Sequence, residues 1–190
     1  KLVDQLLEVS PQTAIWCGWS LGGQLALKTA ALNPLAVDRL YLLAANPCFV
    51  TKSDWRHGMP ESRLREFAKE LEQNWAVTVK RFISLQFLGV SDEEGAARKL
   101  RVDAVAAAPD PVALQTGLQW LLELDLRDCL TQVSMPVHCG LGGLDRLVPA
   151  GVADSLRMLG CDVTVLDHAG HAPFISHPQE CIAALLESCK

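Results

Sequence analysis

AIWCGWSLGGQLALKTAAL, residues 14–32, changes character within a few positions. Ala14 to Trp19 is short and apolar, the pattern of a buried strand. Leu21 to Leu32 consists largely of helix formers and stops at Asn33-Pro34. Between them lies Gly18-Trp19-Ser20-Leu21-Gly22. A strand that turns straight into a helix strains the residue at the bend and needs small neighbours, so that the two elements can pass closely. The bend lifts the Ser20 hydroxyl clear of the sheet and sets it beside a helix N-terminus, where free amides and the helix dipole favour a developing oxyanion. The plainer reading is that Ser20 caps the helix and that Gly22 and Gly23 serve packing.

Working outward, KLVDQLLEV (1–9) has Leu2, Leu6 and Val9 near helical spacing. It reads as the end of an element already under way, so upstream residues are expected to be missing. VDRLYLLAAN (37–46) is a second apolar strand, ended by Pro47. Strand, helix, strand in this order implies a parallel sheet covered on both faces. From Cys48 to Thr131 charges become frequent and strand-like runs disappear; with two breaks, at 89–95 and 108–111, this stretch reads as roughly four amphipathic helices. Strands return in MPVHCGLGGLD (135–145) and CDVTVLDHAG (161–170), each followed by a helix, at 149–160 and 177–190. The expected organisation is an α/β core at 1–47 and 132–190 with a helical insertion at 48–131.

Composition narrows the function. Of the 190 residues 49% are hydrophobic and 21% charged, which suits a globular domain with a real core. A net charge of −5 argues against nucleic-acid binding. No run approaches the roughly 20 apolar residues that span a bilayer. No charged-then-apolar leader opens the sequence, and the seven cysteines are odd in number and contain no CxxC. A reduced, cytoplasmic setting follows as the expectation. Cys161, Cys181 and Cys189 fit no zinc spacing, so no metal is expected.

A serine is a weak nucleophile unaided and needs a base and an orienting acid. In open α/β sheets these sit beyond the carboxyl ends of later strands. Asp145 ends the strand in GGLDRLVP, and His171 follows the last strand in DHAGHAPF. Asp145 also reads as a turn residue and His171 as a loop histidine. His168 is the rival base but lies closer to the strand; His177 reads as a cap, His57 falls in the insertion and His138 inside a strand.

Taken together, GWSLGG, GGLDRLVP and AGHAPFISHP resemble the α/β-hydrolase superfamily. Within it, HAPFISHP, NPCF, VKRFISLQFLG, LTQVSMP and the four-helix insertion resemble the carboxylesterases of biotin synthesis, which demethylate pimeloyl-acyl-carrier-protein methyl ester. The resemblance implies an α/β-hydrolase fold with Ser20 as nucleophile, Asp145 as orienting acid, His171 as general base and Leu21 as an oxyanion amide. It implies no cofactor. It makes the insertion a lid over an acyl channel that docks the carrier protein, with Trp19, Phe82 and Phe87 toward the substrate. Phe82, Leu85 and Phe87 equally suit the inward faces of packed helices. Arg98, Lys99 and Arg101 form a basic cluster suited to an acidic carrier protein or to a solvated face, within an insertion that carries more acidic than basic residues. A monomer is expected, with no membrane partner.

The same resemblance marks a departure. Only 19 residues stand before Ser20, too few for the family's first strands and for the loop that gives a second oxyanion amide. The N-terminal part of the sheet is therefore expected to be absent, with one edge unpaired. Alternatives are a general short-acyl carboxylesterase and a non-catalytic hydrolase-fold module.

Overall fold

Every strand of the described sheet runs parallel. The computed structural model describes residues 2–90, 95–107 and 110–188; Lys1, Cys189 and parts of the two breaks at 89–95 and 108–111 lie outside them. The strands β1 (Ala14–Trp19), β2 (Val37–Leu43), β3 (Val137–Gly142) and β4 (Asp162–Leu166) follow one another in spatial order. Ahead of β1 lies α1 (Leu2–Val9), and α2 (Leu21–Leu32) joins β1 to β2. The long crossover from β2 to β3 carries α3 (Glu61–Gln73), α4 (Trp75–Gln86), α5 (Ala96–Ala107), α6 (Pro111–Glu123) and α7 (Arg127–Gln132). The chain then adds α8 (Ala153–Met158) before β4, and α9 (Pro173–Ser176) and α10 (Pro178–Ser188) after it.

Alternation along β2 divides the core. Leu40 and Leu42 pack with Leu27 of α2, Cys139, Leu141 and Leu156 on one face. Tyr41 and Leu43 pack with Leu166, Ala169 and Cys181 on the other. Burial on both faces is why the strands read as continuous apolar runs. The exception is β1, an edge of the described sheet, where Ile15 is 48% exposed.

The strands are shorter than their apolar runs. β2 stops at Leu43 because Ala44 takes a left-handed φ of 47° and turns the chain away. β3 begins after Pro136, which has no amide to give the ladder, and ends where residues 143–145 turn.

Four helices, α3 to α6, stand off the sheet around Leu71, Val79, Ile83 and Phe87. The flanks of that insertion belong to the core instead: Cys48, Phe49, Val50, Trp55, Leu126 and Leu130 share the cluster of Leu27 and Leu40. The segments leaving and re-entering the core are tied together by a Cys48–Asp125 bridge and by Leu126 N–H donating to Pro47 O at 2.9 Å.

Candidate active site

The bend at Ser20 is as tight as its glycines imply. Ser20 holds φ 53° and ψ −122°, a strained combination for a residue with a side chain. Its N–H still donates to Leu43 O of β2 at 2.9 Å, while its carbonyl accepts from Gly23 N–H at 2.9 Å. The residue thus ends the strand and starts the helix at once. A Cβ on Gly18 would lie 2.5 Å from Gly22 O and 2.6 Å from Gly23 Cα, so only glycine lets the strand pass the helix here.

Ser20 does not cap its helix. Its side chain makes no capping hydrogen bond and instead lies 2.9 Å from His171 Nε2. His171 Nδ1 is 2.7 Å from Asp145 Oδ2, and both side chains are buried. A carboxylate only accepts, so the imidazole donates from Nδ1 and leaves Nε2 to accept the serine hydroxyl. The other Asp145 oxygen accepts from the Leu147 and Val148 amides at 2.7 and 2.9 Å. Those two amides fix the carboxylate plane.

Packing of the loops brings acid and base together. Leu144 N–H donates to Ala169 O at 2.9 Å, and Gly143 N–H to Leu166 O at 2.8 Å. A Cβ on Gly142 would meet Gly170 O at 2.2 Å, so the glycine is what admits the histidine loop. His168 is exposed, His177 contacts Ser176, His57 packs against Trp55, and His138 stacks on Tyr41 within the sheet. His171 alone of these histidines faces Ser20.

Leu21 is the first residue of α2, and the first amides of a helix have no acceptor within it. Trp19 is half-buried against His171 and Phe174, with ring centroids 5.6 and 5.1 Å apart. Phe82 lies against Phe67 at 5.2 Å, and Phe87 is buried among the insertion helices. Neither phenylalanine lines the cavity of about 420 Å³ between α3 and α6, whose walls are Leu71, Trp75, Pro111, Leu114 and Leu118 with Glu72. Their helical spacing was visible in the sequence, but which faces would meet was not. The cavity's helix α6 reaches the bend, since a Cβ on Gly117 would come within 3.3 Å of Leu21 Cδ2. Of the basic cluster, Arg98 is exposed, Lys99 pairs with Asp103, and Arg101 donates to Ser84 Oγ at 3.3 Å.

Known proteins resemble this chain in sequence and in fold. Residues 1–184 match the profile described as the Alpha/beta hydrolase family. The pimeloyl-acyl-carrier-protein methyl ester esterase of Aliivibrio fischeri strain MJ11 is 39% identical over 189 residues, covering 97% of this chain and 73% of the relative. The enzyme of that name from Xylella fastidiosa strain M23 is 40% identical over 190 residues, covering 97% and 74%. Among solved structures, an esterase from Exiguobacterium antarcticum superposes with TM-score 0.84 at 22% identity, over 97% of this chain and 69% of that one, a likeness of fold. A serine held at a strained strand-to-helix bend, an acid and a histidine after later parallel strands, and a profile match over residues 1–184 make this chain a member of the alpha/beta hydrolase family.

Proposed function

We propose that the chain is a serine carboxylesterase that hydrolyses the methyl ester of a pimeloyl group carried on acyl carrier protein. The observation that carries ester hydrolysis is the Ser20 hydroxyl 2.9 Å from His171 Nε2, with Asp145 behind it. The substrate is supported by relatives of that name near 40% identity.

In this reading His171 takes the proton as Ser20 Oγ attacks the ester carbonyl, and Asp145 holds the tautomer and stabilises the imidazolium. The Leu21 amide donates to the oxyanion. Methanol leaves with the proton that His171 returns, and water then hydrolyses the acyl-enzyme by the same route. No step calls for a metal or an organic cofactor. The insertion serves as a lid. Its apolar cavity, walled by Leu71, Trp75, Leu114 and Leu118, receives the methylene chain, while Phe82 and Phe87 pack the helices around it. Arg98, Lys99 and Arg101 on α5 meet the acidic carrier.

Methanol release from the carrier-bound ester is the test. Ser20→Ala is expected to lower it by about 10⁴-fold or more; retained activity would overturn the assignment. Free and carrier-bound methyl esters separate the substrate readings. Combining Arg98→Glu with Arg101→Glu is expected to raise KM about tenfold for the carrier-bound ester alone. Equal rates on free and carrier-bound esters would point to a general esterase.

A further inference from the structure

We infer that Trp19 is a positioning residue for His171, tying the general base to the strand that carries the nucleophile. The sheet order sets the problem. β1 and β4 are separated by β2 and β3, and three inter-strand spacings amount to roughly 14 Å. His171 leaves the far strand, yet its Nε2 must come within hydrogen-bond reach of Ser20. Asp145 fixes the imidazole at Nδ1, but Asp145 itself follows β3 and says nothing about the distance to β1.

The indole supplies that missing tie. Trp19 immediately precedes Ser20, and its Nε1–H donates to the His171 carbonyl at 2.8 Å. The ring is tilted against the imidazole at 5.6 Å and set edge-on to Phe174 at 5.1 Å, which leaves it little rotamer freedom. The His171 N–H is held from the other side by Gln86 O, at the end of α4, at 3.0 Å. Both backbone polar groups of the base are thus anchored outside its own loop, one of them by the residue next to the nucleophile. A general base displaced by about 1 Å loses on the order of 10²-fold in rate, so this tie bears on turnover.

The inference rests on Ser20 being activated by His171, and not on which ester is cleaved. It is tested in the full chain by replacing Trp19 with its benzothiophene isostere, which keeps the ring shape and lacks the N–H, and by Trp19→Phe. Turnover of p-nitrophenyl acetate and the rate of fluorophosphonate labelling at Ser20 are measured with the thermal midpoint. Losing one hydrogen bond is expected to lower kcat and the labelling rate about tenfold in the isostere, with KM within about twofold and the midpoint lowered by only about 2–4 °C. Trp19→Phe is expected to match it per folded molecule. A raised KM with unchanged kcat would make the indole a substrate wall and overturn the inference. Equal labelling of unaltered and isostere proteins would overturn this inference alone. An unaltered protein that resists labelling would sink the serine-esterase reading with it.

Discussion

Ser20 holds a left-handed φ of 53° that a side chain resists, and the hydroxyl it presents to His171 is the return on that strain. Removing the side chain should therefore release stability as it removes activity. Ser20→Gly is expected to be more stable than Ser20→Ala by about 1 kcal/mol, or roughly 2–4 °C in thermal midpoint; equal midpoints would show an unstrained bend. Asp145 makes a second case. Its Oδ1 is held by two amides, so an asparagine must keep its carbonyl there and turn its amide toward His171. Nδ1 would then accept, Nε2 would carry the proton, and the base would face Ser20 in the wrong tautomer. Asp145→Asn is expected to cost about 10⁴ in kcat with little change in fold, read from kinetics alongside circular dichroism. The places of Ser20, Asp145 and His171 beyond strand ends were legible in the sequence because each follows a strand-like run. The Trp19 hydrogen bond was not, since its partner lies 152 positions away.

At the scale of elements, the glycines around the bend are not equivalent. Gly18 is pressed against the backbone of Gly22 and Gly23, whereas a Cβ on Gly22 meets nothing within 4 Å. Gly22→Ala is expected to stabilise by about 0.5–1 kcal/mol through helix propensity. Gly18→Ala is expected to destabilise by about 3 kcal/mol, because backbone atoms cannot yield as side chains do. Urea midpoints of the two variants check the contrast. The sequence motif marks both glycines alike, and only the crossing of β1 over α2 separates them. Element limits were likewise only partly legible. Apolar residues continue past Leu43, but Ala44 breaks the strand by backbone conformation, which composition does not encode. The single turn α9 within HAPFISHP also went unforeseen, being too short for any periodicity to register.

For the whole molecule, the junction between core and insertion is a joint built by remote residues. Arg127 reaches Asp54 at 2.9 Å and Asp125 at 2.6 Å, and its guanidinium lies 5.4 Å from the Trp55 ring centre. The hydrogen bond from Arg127, before any other effect, holds the Asp125 carboxyl below its ordinary range. Because folding lowers that value, the stabilisation is complete above the unfolded carboxylate's pKa near 4 and disappears as pH falls through the folded one. Asp125 keeps 33% of its side chain exposed and Asp54 67%, so solvent screens both pairs and Arg127→Ala is expected to cost only about 0.5 kcal/mol at neutral pH. Unfolding curves should show the gap between the two proteins closing below about pH 4; a gap independent of pH would assign the effect to packing on Trp55. By itself, the sequence determined the strand-to-helix bend, the parallel α/β order and the three residues beyond the strand ends, because hydrophobic period and turn chemistry act over neighbouring positions. Tertiary structure alone decided that both flanks of the insertion pack into the core, which helix faces enclose a cavity, and that the Trp19 indole donates to the His171 carbonyl. Those contacts join residues far apart in the chain, and no local pattern of side chains records which distant surface each will meet.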